Sequence, residues 1–352
     1  MFVTRTVLSI ALTLVLAAPA VAQVGASPAP LIQAMAYVSP RTDPTAIEFV
    51  DWAQLKQLHG SEGLDSSSPL EDRQQFMLEV ARNESVPVPL GIDRLATWPD
   101  TWGWDNTDLD WQARYLDDRT VLRFGDHWDP APLRAALESF GYEVAAGGGI
   151  EVWQPPEADM PTDLRLERIS RDISGSRMSL TFAPVTISGD ERTVVIHGFG
   201  MGASPKQLRK ASRPRPERIA GTPAARAAAA LGDVASASVV ASRQIRCARP
   251  GGEDPLARNP EVSTIVEGLH RYQARSEGYW RAAADAPARI RYVFSYRRPA
   301  QARADLEGRR TLVETGLPWG PPAADLTLID ARVDGSELIL DVEPIAGHPG
   351  PY

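Results

Sequence analysis

One cysteine, Cys247, stands in 352 residues, so no intramolecular disulfide can form and the fold must be held by packing. Cys247 itself reads as a small residue at a strand end; the functional alternatives are an intermolecular bridge or a nucleophile, and no His/Asn signature lies nearby to mark the latter. Lysine is scarce as well: Lys56, Lys206 and Lys210 are the only lysines among 37 basic side chains. This reads as overall composition, with retention of arginine for planar contacts to carboxylates or phosphates as the weaker reading. The five histidines, His59, His127, His197, His270 and His348, are far apart. With no His-x-x-x-His and no cysteine pair, the zinc patterns are excluded, and no metal or cofactor is expected. Basic charge is not in excess either. A net charge of −8 leaves no basic face for a phosphate backbone, which excludes nucleic acid as a partner and disfavours an anionic membrane surface.

The first segment that is present carries a targeting signal. Arg5 is a short basic region, Val7 to Ala18 is mainly apolar, and Ala20-Val-Ala22 before Gln23 has the form of a cleavage site, with the cut between Ala22 and Gln23. This predicts a secreted, periplasmic or envelope protein. The apolar run falls short of the roughly 20 residues of a membrane span, so no stable span is expected after cleavage.

The full chain has an ordinary globular mix, with 43% hydrophobic and 23% charged residues. Its most conspicuous stretch is Trp98-Pro-Asp-Thr-Trp102-Gly-Trp104-Asp-Asn-Thr-Asp-Leu-Asp-Trp111, followed closely by Trp128. Four large rings in one stretch are either a small core or a display surface. Trp98, Trp102, Trp104 and Trp111 are the candidate ligand-binding residues, as a stacking platform for cell-wall glycans. The packing alternative is a plug that closes the first half of the chain, because contiguous exposed apolar patches are rare without a partner. Coming after the Pro-broken Val86 to Leu90, the stretch is expected to be irregular backbone.

Regular elements follow from periodicity. Ala46 to Val50 reads as a strand running into a brief helix, Trp52 to Leu58. Ser68, Pro69 and Glu71 form a capping-box signature ahead of Leu70, Phe76, Met77 and Val80. Thr120 to Phe124 reads as a strand; after it, Asp129-Pro130 starts a helix with Leu133, Ala136, Leu137 and Phe140 on one face. The same strand, loop, proline-started helix recurs at Thr193 to His197 with Ser204-Pro205, and at Arg289 to Tyr296 with Pro299. Ile150 to Trp153, Ala235 to Ala241 and the arms around Asp334-Gly335 read as further strands, the last as a hairpin. Thr222 to Leu231 reads as an alanine-rich helix, and Asn259-Pro260 starts another.

Two motifs invite chemistry. Val194-Val-Ile-His197-Gly198-Phe-Gly200-Met-Gly202 is similar to the strand-then-His-Gly loop that supplies oxyanion-hole amides in α/β-hydrolases. No Gly-x-Ser-x-Gly turn accompanies it, so the glycines read as turn residues and His197 as a strand-end polar group; no catalytic residue is assigned. Asp105, Asp108 and Asp110, with Asp117, Asp118 and Asp126, could offer oxygens to calcium, but the spacing departs from the calcium loop and they read as solvated or capping carboxylates.

Taken whole, Val121-Leu-Arg-Phe-Gly125 with Asp129 to Tyr142, the strand ending at His197 before Ser204-Pro205, and Leu231-Gly-Asp-Val234 resemble a group of uncharacterised exported bacterial proteins with tandem α+β units. The resemblance implies internal duplication and an envelope setting, and no activity. The expected fold is α+β: two related lobes at 31–211 and 222–345, joined by a Pro/Arg-rich connector at 212–221, with 23–30 a linker and 346–352 a frayed tail. Each lobe is expected to carry a mainly antiparallel or mixed sheet with helices on one face. The expected function is non-catalytic binding of an envelope component or another protein. A glycan-binding module using the Trp loop comes second and an exported hydrolase third.

Overall fold

The computed structural model describes residues 29–38, 45–84, 92, 95–115, 119–145, 147–156, 183–197, 203–241, 260–314 and 326–344. The signal segment with Ala22 and Gln23, Cys247, Asp117 and Asp118, and the loop after His197 lie outside these residues.

Among the described residues, twelve strands form one antiparallel sheet. In chain order they are β1 (Thr45–Asp51), β2 (Leu109–Tyr115), β3 (Thr120–Phe124), β4 (Glu143–Ala145), β5 (Ile150–Gln154), β6 (Val185–Ser188), β7 (Thr193–Ile196), β8 (Ser236–Ala241), β9 (Ala274–Trp280), β10 (Arg289–Ser295), β11 (Leu326–Asp334) and β12 (Glu337–Pro344). Across the sheet the order is β11-β12-β10-β9-β8-β1-β2-β3-β7-β6-β5-β4. The fold class is therefore α+β, and the sheet runs without a break through both halves of the chain. The joint is β1, which pairs with β2 on one side and β8 on the other. Outward from it, β1-β2-β3-β7-β6 and β8-β9-β10-β12-β11 have the same order of neighbours, and the β4–β5 hairpin extends only the first run.

The helices are α1 (Pro30–Met35), α2 (Trp52–Leu58), α3 (Leu70–Asn83), α4 (Trp98–Trp102), α5 (Ala131–Ser139), α6 (Pro205–Ala211), α7 (Pro216–Ile219), α8 (Pro223–Leu231), α9 (Pro260–Gly268) and α10 (Pro299–Glu314). They cover both faces of the sheet, where the sequence led us to expect one. The reason is visible along single strands. In β1, Val50 enters the core under α2, α3 and α5, while Ile47 and Phe49 enter the opposite core under α1 and α8. A strand apolar on both sides has to be covered on both. We call the face carrying α2 to α5 and α10 the front and the other the back.

The local rules are partly obeyed. Ser204 and Gln207 form a reciprocal capping box at α6, and the Thr222 hydroxyl accepts from Ala225 N–H to start α8. Alanines 224, 227 and 228 are buried there; short side chains let α8 lie close to the sheet. At α3 the expected box does not form. The helix begins at Leu70 without a side-chain cap, because the Ser68 hydroxyl is bonded to Asp65 instead. The connector at 212–221 is itself partly helical, as α7.

Candidate functional site

The tryptophan stretch is more regular than its sequence suggests. Trp98–Trp102 is the short helix α4, Asn106–Asp108 is a 3-10 turn, and Leu109 onward is strand β2. Gly103 ends α4 at φ +76, and a Cβ there would lie 2.3 Å from Cβ of Pro132 in α5. Only glycine permits both the left-handed backbone and the approach of the two helices. The rings fill that contact. Trp102 stacks on Phe140 at 4.8 Å between centroids, Trp104 meets Phe124 edge-on at 5.5 Å, and Phe124 stacks on Trp128 at 3.6 Å. Trp98 lies against both Trp102 and Trp104, at 5.9 and 6.0 Å. Trp111 is not in this group, since it projects to the back against Phe49. Trp102, Trp104 and Trp111 are 4, 1 and 4% exposed, which leaves no free ring face on any of them. Trp98 is half-buried. As a stacking platform, the four residues are corrected by their own packing: they share no surface.

The acidic residues of the same stretch are also engaged inward. Asp105 accepts from Arg73, from Thr107 N–H and from the Thr107 hydroxyl; Asp108 accepts from Asp105 N–H and from Ser66. Lys56, buried under this turn, donates to the Thr107 carbonyl at 2.9 Å, and its pKa is lowered by burial against the pull of the nearby aspartates. Asp110 and Asp126 both reach Arg192. These carboxylates satisfy arginines and amides, and no group of acidic, histidine or cysteine side chains among the described residues is arranged for a metal.

His197 has a serine beside it. Its Nε2 lies 3.0 Å from Ser212 Oγ and 3.4 Å from Thr186 Oγ1. Ser212 Oγ also lies 2.6 Å from Thr186 Oγ1 and 2.9 Å from the Leu208 carbonyl in the last turn of α6, to which it can donate. All three residues are buried, at 4, 6 and 1% exposure for His197, Ser212 and Thr186. Burial, with Arg119 nearby, lowers the His197 pKa to about 4, so the ring is neutral and a weak base. Among the described residues no carboxylate hydrogen-bonds its other nitrogen. The trio has the partners of a nucleophile–base pair without its orienting acid or its access.

No family model, no curated protein and no solved structure matches this chain.

The sheet supplies one surface that local motifs do not announce. On the front, the middle strands are not capped by an apolar layer along their whole length. Arg114 of β2 faces Glu48 of β1, Glu48 faces Ser238 of β8, and Ser238 faces Glu277 of β9. Arg275, two residues along β9, donates to Glu277 at 2.6 Å and lies over the Tyr292 ring. Arg114 approaches Glu48 at 3.6 Å. The Glu48 side chain is 58% exposed although its strand has six neighbours on one side and five on the other. A charged, solvated band thus crosses the middle of a sheet whose two flanks are covered by α2 to α5 and by α10. Sequence reasoning saw Glu48 only as one residue of the strand from Ala46 to Val50. Its partners lie some 65 to 230 residues away in the chain, so no spacing rule could have assembled them.

Proposed function

We propose that this is an exported, non-catalytic binding protein of the cell envelope, built from two related α+β halves that meet at Glu48 and Ser238, and that the band of Arg114, Glu48, Ser238, Glu277 and Arg275 is its contact surface. One observation carries the reading: solvated charge at the centre of a large sheet, where uninterrupted packing would favour apolar residues. The recurring order of strands on either side of β1 and β8 supports the duplication. The composition of residues 1–22 supports export. A hydrolase reading finds no support in Ser212, and a glycan reading would have only Trp98 to work with.

The test is cosedimentation of the mature protein with isolated cell-wall sacculi and, separately, with envelope vesicles. Glu48→Arg combined with Arg114→Glu should reduce capture at least fivefold while leaving the melting temperature within about 3 °C, because both side chains are solvent-screened. Equal capture by this variant and the parent would refute the assignment of the band.

A further inference from the structure

The back of the first half carries a patch of cations that the net charge of −8 conceals. Lys206, Arg209, Lys210, Arg213, Arg215 and Arg218 fall between positions 203 and 220, where Glu217 is the only acid. Helix α6 turns Leu208 and Ser212 inward, the latter onto Thr186 of β6, which faces the back beside Val195. Lys206, Arg209 and Lys210 then share one outer stripe, at i, i+3 and i+4. Arg213 extends it to i+7, because Ser212 keeps a helical backbone at φ −87 and ψ −6. Lys206, Lys210, Arg213 and Arg218 are exposed, and Arg209 and Arg215 are half-buried.

Among the described residues none of the six is in an ion pair, whereas Arg73, Arg134, Arg192 and Arg291 each reach a carboxylate. The partners that three of them do have are neutral. Arg209 donates to the carbonyls of Ala145 and Ile150 at 2.6 and 3.3 Å, Arg213 to that of Gly148 at 3.3 Å, and Arg215 to that of Lys210 at 2.6 Å. A carbonyl orients a guanidinium without cancelling its charge, and it leaves other N–H groups of the fork to donate outward. The β4–β5 turn is shaped for this contact: Gly148 stands at φ +61, and a Cβ there would lie 3.1 Å from Arg213 Nη2. Helix electrostatics does not account for the stripe. Cations suit the last turn of α6, where Arg209 and Lys210 are, but Lys206 stands in the first turn, at the positive end of the helix.

We propose that this patch docks the protein on an anionic bilayer surface, its cations set against lipid phosphates. The proposal rests on the export reading for access to a membrane, and not on the Glu48 band, which lies on the opposite face. Charges more than about 8 Å away are largely screened at physiological ionic strength, so headgroups meet the local six cations rather than the whole-chain charge. A bilayer suits the stripe better than one compact anion does. The cations are spread along α6 and past its end, so they need several phosphates, and lipids diffuse laterally until they lie beneath them. The count falls within the roughly four to eight basic residues that hold other helices to acidic lipid.

The experiment is cosedimentation of the mature protein with vesicles of pure phosphatidylcholine and of phosphatidylcholine with about one-third phosphatidylglycerol. Binding is expected to the anionic vesicles alone, and it should fall steeply as salt is raised. Lys206→Gln, Lys210→Gln and Arg213→Gln should each weaken it about fivefold, and the triple variant by at least about twentyfold. The three side chains are exposed, and the single variants decide the matter if the triple variant folds poorly. Arg297→Gln with Arg298→Gln and Arg303→Gln removes the same charge from exposed positions of the other half, and should change binding less than about twofold. Glu48→Arg with Arg114→Glu should bind pure-lipid vesicles as the parent does, so a failure of the patch and a failure of the band are told apart. Equal binding by the parent and the triple variant would overturn the proposal. So would indifference to phosphatidylglycerol, an equal loss in the Arg297 set, or retention on poly-glutamate beads without binding to vesicles.

Discussion

Glu48 and Ser238 face each other across β1 and β8, the one ladder where the two halves of the chain pair strand to strand. Beneath them on the back, Phe49 and Val239 are buried at 1 and 0% exposure. At these positions the ladder thus has a solvated face, where the proposed contact band lies, and a packed face.

Phe49→Ala should test the packed face. It removes a buried ring in contact with Trp111 and should destabilise the protein by about 3 to 5 kcal/mol, the range for aromatic-to-alanine changes in cores. Urea denaturation measures it. The exposed Glu48→Ala, on the same strand one residue away, should change stability by less than about 0.5 kcal/mol.

The pH dependence of stability should show two opposed contributions. Burial, with Asp110 and Asp233 nearby, raises the pKa of Asp51 to about 6. Its folded carboxyl therefore holds a proton that the unfolded chain gives up, and this contribution is present below about pH 4 and lost as pH rises through 6. His197 behaves in the opposite way. Its folded pKa of about 4 lies below the unfolded value of 6.5, so its contribution is present above pH 6.5 and lost as pH falls through 4. Each shift is on the order of 3 kcal/mol at most. The two nearly cancel between pH 4 and 6.5. Asp51→Asn, which can still cap α2, should leave the histidine slope alone, with stability falling as pH falls. His197→Gln should leave the aspartate slope alone, with stability rising as pH falls. Denaturation midpoints at pH 4.5, 5.5 and 7 would show it; parallel profiles for the two variants would contradict the assignment.

Iodide should quench few of the tryptophans in the native protein, because Trp52, Trp102, Trp104 and Trp111 are between 0 and 4% exposed. Gly103→Ala should increase quenching. It forces a side chain into Pro132 at a left-handed backbone position and should pry α4 from α5, at a cost of about 2 to 4 kcal/mol.

Ser212→Ala should cost about 1 to 3 kcal/mol, the range for leaving the buried His197 nitrogen and the Thr186 hydroxyl short of a partner. Esterase activity of the purified protein toward a chromogenic acyl ester, if any, should be unchanged by the substitution. Loss of a measurable rate in Ser212→Ala alone would revive the hydrolase reading.

Much of the fold was legible in the sequence, for reasons that remain local. Thr120–Phe124, Ile150–Gln154 and the Asp334-Gly335 hairpin announce themselves by β-branched or alternating residues and by a glycine at φ +57. The helices α5, α6 and α10 each follow a proline-marked start. What escaped was non-local. Strand β2, Leu109–Tyr115, hides behind three aspartates and contains Gln, Ala and Arg; it is a strand because β1 and β3 flank it. That the strands of both expected lobes would join in one sheet depended on β1 meeting β8, which no composition signal encodes. Trp111 was grouped with Trp98, Trp102 and Trp104 by proximity in sequence, whereas the alternation of a strand sends it through to the other face. His197 read correctly as a polar group at a strand end, but its Ser212 partner came from the stretch taken as a connector.

The β1–β8 ladder joins positions about 190 residues apart, so β1 is an open edge for as long as the distal part of the chain is missing or unfolded. A fragment ending near residue 212 would expose a seven-residue strand, with Ile47 and Phe49 on one side and Val50 on the other, and with half of its main-chain groups unsatisfied. Such a piece should aggregate when made alone and be rescued when the remaining piece is supplied in trans, the two reassociating along that strand. The proposed export would then favour a chain kept unfolded until β8 has crossed, since β1 is safe only once its distant neighbour has arrived.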